Sequence, residues 1–159
     1  MRSDAAAYFI TFRCYGTWLH GDERGSVNRK MPRGFGDPFI PPTQELEAMR
    51  GRALQHAPVV LSGEARETVE GSIRGVCKYR EWRLHALAAR TNHVHIVVSA
   101  SDRPPELVMN SFKSWTTRGL VEAGHFAKGH RIWSRHGSTI YLWNAESIAE
   151  KVEYVVNGQ

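Results

Sequence analysis

Cysteine is scarce in this chain. Cys14 and Cys77 are the two thiols among 159 residues. Neither belongs to a Cys-x-x-Cys pair, so no disulfide framework and no zinc knuckle is implied. No apolar run approaches the ~18 residues that cross a bilayer, which excludes a spanning helix and with it membrane partners. Residues 1–7 are too short and too mixed in polarity for a secretory signal, and the expected compartment is the cytoplasm. Internal repeats and low-complexity tracts are missing too, which excludes solenoids and disordered arrays. Acid is in the minority: 16 Asp and Glu against 21 Lys and Arg leave a net charge of +5.

What is present fits one domain over residues 1–159, with 42% hydrophobic residues for its core. A basic chain with five tryptophans suits nucleic acid, because Lys and Arg pair with phosphates and flat rings stack on bases.

The organising stretch is Thr91-Asn92-His93-Val94-His95-Ile96-Val97-Val98-Ser99. Short, β-branched and apolar, it reads as a buried strand. Strand side chains alternate between faces, so His93 and His95 share one face. Two adjacent imidazoles are a metal-ligand geometry. The same pair can also be solvated or hydrogen-bonded and carry no chemistry.

In chain order, residues 7–13 read as an aromatic, β-branched strand with Phe9 and Thr11 on one face and Ile10 and Phe12 on the other. Residues 14–27 read as a loop whose Trp18, His20, Asp22 and Arg24 suit binding. Prolines and glycines make 30–42 irregular, within a loop-rich insertion at about 20–60. A helix is expected over 43–55, capped by Thr43, and a better one over 61–78. In the second, Ser62 caps, and Ala65, Val69, Ile73, Val76 and Cys77 recur at helical spacing. A strand over 82–90, with Leu84, Ala86 and Ala88 alternating against Arg83, His85 and Leu87, should pair antiparallel with the histidine strand through Thr91-Asn92. Pro104 and Pro105 open a helix reaching Ala123, with Val108, Phe112, Trp115 and Leu120 as its apolar face. Residues 125–136 are basic and glycine-containing, and 139–143 form a short strand. Asn144 caps a last helix over 145–157. Its stripe is Ile148, Val152 and Val155 or Val156, and Tyr154 lies well off it. The order strand, helix, strand, strand, helix, strand is that of an α+β ferredoxin-like or RRM-like split βαβ fold. Its central antiparallel sheet would carry the histidines on an open face, with the C-terminal tyrosine helix beside them.

These pieces resemble a known family, the single-tyrosine HUH transposases, and more closely the REP-associated tyrosine transposases. The resemblance rests on Gly16-Thr17-Trp18-Leu19-His20-Gly21, Asn92-His93-Val94-His95-Ile96-Val97-Val98, the Phe112-Lys113 helix, Trp133-Ser134-Arg135-His136-Gly137-Ser138-Thr139 and Glu153-Tyr154-Val155-Val156-Asn157. It implies a nickase and strand transferase acting on single-stranded, hairpin-flanked DNA. His93 and His95 would hold one Mg²⁺ or Mn²⁺, and Tyr154 would attack the scissile phosphate to give a 5′-phosphotyrosine link and a free 3′-OH. The family's third ligand, an amide one helical turn after the tyrosine, falls here on Gly158, so Asn157 and Gln159 are its candidates. Arg13, Trp18, His20, Arg24, Lys113, Arg118, Trp133, Arg135 and His136 are the expected DNA contacts. By the same resemblance the chain is a monomer or a homodimer.

Two other readings compete. In a histidine-triad nucleotide hydrolase a third alternating histidine would stand where this chain has Val97. A hairpin-DNA-binding module that keeps the fold without the chemistry is favoured by the missing ligand one turn after Tyr154.

Overall fold

The computed structural model describes residues 5–17 and 57–158. Trp18, His20, Arg24 and Gln159, the 43–55 helix and nearly all of the 20–60 insertion lie outside them.

Strand β1 (Ala7–Cys14) is followed by helix α1 (Gly63–Arg80), the antiparallel pair β2 (Arg83–Ala89) and β3 (His93–Ser99), helix α2 (Pro105–Glu122), strand β4 (Trp133–Leu142) and helix α3 (Ala145–Asn157). The sheet order is β2-β3-β1-β4, and every neighbouring pair is antiparallel. This is the expected α+β fold.

Alternation along the strands decides which residues face which layer. Tyr8, Ile10, Phe12, Val94, Ile96 and Val98 turn to α1 and α2 and form the larger core. Ala7, Phe9, Val97 and Leu142 turn the other way, where Val155 of α3 closes a smaller core with Ile148 and Val152 against it. The face expected to be open is therefore half covered. Helix α3 shields the face around Val97 and reaches His95, which is buried, while His93 at the start of β3 stays partly exposed.

Of the three N-terminal caps read from the sequence, Ser62 and Asn144 are made, and Thr43 lies outside the described residues. The Ser62 hydroxyl accepts from the Ala65 N–H at 3.1 Å, and all five residues of the α1 stripe are buried. Helix α1 stops where Glu81 takes a left-handed φ of 62° and donates its N–H back into the last turn. Asn144 and Ser147 form a reciprocal capping box at the start of α3.

Two strands depart from expectation. Strand β2 carries a bulge between Leu84 and Ala86. The extra residue shifts the alternation, so Leu84 and Leu87 face the larger core while Ala86 and Ala88 face the smaller one. Strand β4 begins at Trp133, six residues before the expected start at 139. Its Ser, His and Gly residues have little strand preference; pairing with β1 at Cys14↔Trp133 and from Phe12↔Gly137 through Ala7↔Leu142 supplies the order, with an irregularity over 134–136 between them. Gly137 is required there. A Cβ at that position would lie 2.7 Å from the Thr11 carbonyl oxygen and 2.5 Å from Met109 Sδ.

Both cysteines are free and buried. Burial pushes the Cys14 thiol up to about 12 and the Cys77 thiol to about 11, which leaves them inert as nucleophiles or ligands.

Candidate active site

The site begins with the register of β1 against β3. Thr11 lies opposite His95, Arg13 opposite His93 and Phe9 opposite Val97. Cross-strand partners share a face, so Phe9, Thr11 and Arg13 stand beside the two histidines. The imidazoles sit 4.7 Å apart, edge to face. His95 is buried at 8% exposure, packed flat on Phe9 at 5.4 Å. Its Nδ1 shares a 2.8 Å hydrogen bond with the Thr11 hydroxyl. The Nδ1 of His93 lies 2.8 Å from the Asn92 side-chain oxygen. An amide oxygen only accepts, so the proton of neutral His93 is on Nδ1 and the lone pair is on Nε2. That is the outer-shell arrangement that prepares an imidazole for a metal.

Helix α3 brings the tyrosine. At about 100° per residue, its side chains fall into three stripes. Ile148, Val152 and Val155 dock on the sheet. Glu146, Glu150, Glu153 and Asn157 form a second stripe, and the Asn157 amide donates to Glu153 at 3.0 Å. Ser147, Lys151, Tyr154 and Gly158 form the third. Docking turns this stripe toward β1 and β3: the Tyr154 ring stands 5.6 Å from His95 and 6.0 Å from Phe9, edge-on to the latter. Tyr154 remains 43% exposed, so its ring is held while its surface stays open to a substrate. The Lys151 ammonium lies 5.0 Å from the centre of the Phe9 ring and 5.6 Å from that of Tyr154. Arg90, at the end of β2, reaches the Val155 carbonyl at 3.4 Å and steadies the C-terminal end of the helix.

The structure thus brings His93, His95 and Tyr154 together. Asn157, a candidate third ligand, sits instead on the acidic stripe and bonds Glu153. Gly158 occupies the turn above Tyr154, and a Cβ there would press on the tyrosine at 3.0–3.1 Å. Among the described residues, no group of three His, Cys, Asp or Glu side chains could hold a metal.

The expected DNA contacts divide between two faces. Arg13 joins the histidine face through its register, whereas His136 is exposed within the irregular stretch of β4 between Trp133 and Gly137, where alternation assigns no face. Lys113 and Arg118 lie on the opposite, helical side. They line a cleft of about 780 Å³ with Asn110, Thr117, Lys128 and Gly129. Arg118 also covers the Trp115 ring at 5.4 Å, beside a second cleft of about 540 Å³ over Gly71 and Gly75. The Lys113 ammonium donates to the carbonyls of Ser134 and Arg135 at 3.1 and 3.2 Å, and desolvation lowers its pKa. It holds the start of β4 as well as facing the cleft. Arg135 is exposed there. Trp133, expected among the DNA contacts, is buried instead. It is 7% exposed, packs edge-on to Phe12 at 4.7 Å and donates its indole N–H to Thr116 at 3.0 Å. Its ring fills the core and offers no face to a base.

Sequence reasoning gave no role to Phe9, Thr11, Asn92 or Lys151. The first two share the histidine face by alternation, yet their adjacency to His95 follows only from the β1–β3 register. Lys151 had a local signal, since it lies three residues before Tyr154 on one helix face.

A family model described as IS200-like transposase matches residues 56–155. Curated proteins gave no match. Among solved structures, a REP-associated tyrosine transposase bound to a REP hairpin is similar with a TM-score of 0.51 and 10% identity, covering 98% of this chain and 67% of that one. The crystal structure of an inferred transposase from Deinococcus radiodurans R1 has a TM-score of 0.54 and 13% identity, covering 96% and 90%. At such identities the likeness is one of fold.

Proposed function

The chain belongs to the IS200-like transposase family, and from that premise we propose that it is a metal-dependent nickase and strand transferase for single-stranded, hairpin-flanked DNA. Tyr154 is its nucleophile. Residues 1–159 act as one domain, with the 20–60 stretch as an insertion after β1. The observation that carries this reading is the 5.6 Å approach of the Tyr154 ring to His95, made by residues 59 positions apart in sequence.

Tyr154 Oη attacks the scissile phosphorus. The Oη–P bond forms as the P–O3′ bond breaks. The phenolic proton is lost and one is taken up by the leaving oxygen, which gives a 5′-phosphotyrosine and a free 3′-OH. Reversal by another 3′-OH rejoins the strand. The edge-on packing against Phe9 and His95 fixes the tyrosine ring before substrate arrives, which lowers the ordering cost of attack.

The histidine pair fits a divalent cation, because Asn92 and Thr11 engage the Nδ1 atoms of His93 and His95, so Nε2 of each ring is the atom that would bind the ion. When bound, such an ion supplies Lewis-acid polarisation of the phosphate. Two imidazoles without a carboxylate form a softer donor set than Mg²⁺ prefers, so Mn²⁺ should support activity at lower concentration.

The test is a denaturing gel of protein mixed with single-stranded oligonucleotides spanning the inverted repeats beside its gene, with Mn²⁺. A covalent protein–DNA band is expected from the wild type, and from neither Tyr154→Phe nor His95→Ala. A band that survives Tyr154→Phe removes Tyr154 from the role. A second reading, binding without chemistry, is favoured by Gly158 and by the diversion of Asn157 to Glu153; DNA binding with no band in any metal would establish it.

A further inference from the structure

We propose that Lys151 is a further catalytic residue, whose ammonium contacts a non-bridging oxygen of the phosphate that Tyr154 attacks. This rests on the reading of Tyr154 as nucleophile.

Surface lysines extend their charge into water. Lys151 instead lies back over two aromatic rings, 5.0 Å from the centre of Phe9 and 5.6 Å from that of Tyr154. The sequence of α3 leaves it little else to do. Its neighbours one turn away are Ser147, Ile148, Tyr154 and Val155, none of them acidic, although the helix carries Glu146, Glu150 and Glu153. The acids form their own stripe, opposite the one that docks on the sheet. Among the described residues no salt bridge to Lys151 occurs. The helix therefore presents one cation, with no acid one turn from it, beside the nucleophile; Glu150, one turn before Tyr154, is the acid nearest that face.

Phe9 sets that position. The one ring stacks on His95, receives the edge of Tyr154 and lies under the Lys151 ammonium. Phe9 is only 6% exposed and sits on a central strand, so its three neighbours are held relative to one another. A phosphate reached by the tyrosine hydroxyl is an anion approached by an electron-rich oxygen. In a half-covered site a cation beside that phosphate acts where charge accumulates. The ammonium keeps its proton throughout. The bond changes remain those of the tyrosine attack, with Oη–P made, P–O3′ broken and the phenolic proton balanced by the one the 3′ oxygen gains.

The experiment measures single-turnover formation of the phosphotyrosine adduct, using the full chain, the same oligonucleotides and saturating Mn²⁺. Wild type, Lys151→Ala, Lys151→Arg and Tyr154→Phe are compared, and thermal melts confirm that each is folded. Lys151→Ala is expected to slow the adduct about a hundredfold, Lys151→Arg to slow it less than tenfold, and added ethylammonium to recover part of the alanine variant's rate. A folded Lys151→Ala that reacts within threefold of wild type overturns the proposal. So does a slow variant that neither ethylammonium nor arginine improves, since the side chain would then be serving only as packing. If the wild type itself forms no adduct, or Tyr154→Phe still does, the underlying reading fails and this proposal with it.

Discussion

Single residues here carry more than one duty, and tertiary contact decides which. Trp133 has the composition of a base-stacking residue, on a basic segment beside Arg131 and Arg135. The fold spends it in the core, with its indole N–H on Thr116 and its ring against Phe12. Trp133→Ala should therefore act on stability, lowering it by ~3–5 kcal/mol through the cavity it leaves. Urea unfolding would measure this. Trp133→Phe should lose less, about 1–3 kcal/mol for the Thr116 partner and the smaller ring. If the phenylalanine variant is as stable as wild type but binds hairpin DNA tenfold more weakly, the burial assignment is wrong. The histidines show the opposite relation. Their spacing in sequence already places them side by side, and the fold adds the Asn92 and Thr11 partners that orient them.

Secondary-structure elements were legible in proportion to their local signals. Helices α1 and α3 carry caps and three-and-four spacing, and their starts and buried stripes are those the sequence implies. Strand β4 has no comparable signal. Its first half is Trp-Ser-Arg-His-Gly, anchored on β1 at Trp133 and Gly137 and held between them by Lys113, which donates to the Ser134 and Arg135 carbonyls. The close approach at Gly137 makes this pairing sensitive. In Gly137→Ala, Met109 can swing aside, but the Thr11 carbonyl belongs to a central strand. A loss of about 1–3 kcal/mol is expected, read as a lower urea midpoint. An unchanged midpoint would mean that β4 moves away from β1 at no cost. The β2 bulge is equally invisible in sequence, since Leu84, Ala86 and Ala88 look like a regular alternation until pairing with β3 adds a residue.

On the scale of the molecule, the two faces of the sheet have different work. One holds the histidines, Tyr154 and Lys151. The other holds the helical layer with Lys113, Arg118 and Lys128 around its cleft. Strand β4 is the sheet edge between them, so a strand contacting both sets of cations would pass around that edge. Affinity for hairpin DNA should fall with salt in proportion to the phosphates neutralised. Arg118 is exposed and lies far in the fold from the histidine face. Arg118→Ala is expected to reduce the slope of log affinity against log salt by ~0.7 for a single-stranded contact or ~0.9 for a duplex stem, measured by fluorescence anisotropy across a salt series. An unchanged slope would remove the helical face from the DNA path.

Among the described residues, the sequence by itself determined the element types apart from the first half of β4, the Ser62 and Asn144 caps, the shared face of His93 and His95, and the position of Tyr154 off the apolar stripe of its helix. These follow from periodicity and capping, which depend on residues a few positions apart. Only the tertiary structure decided that Phe9 joins His95, Tyr154 and Lys151, that Trp133 is core, that Asn157 turns to Glu153, and that the cations divide between two faces. Those outcomes depend on strand register, on the irregularities in β2 and β4 and on the rotation at which α3 docks. Each is set by packing between segments distant in the chain, where no local pattern carries the information.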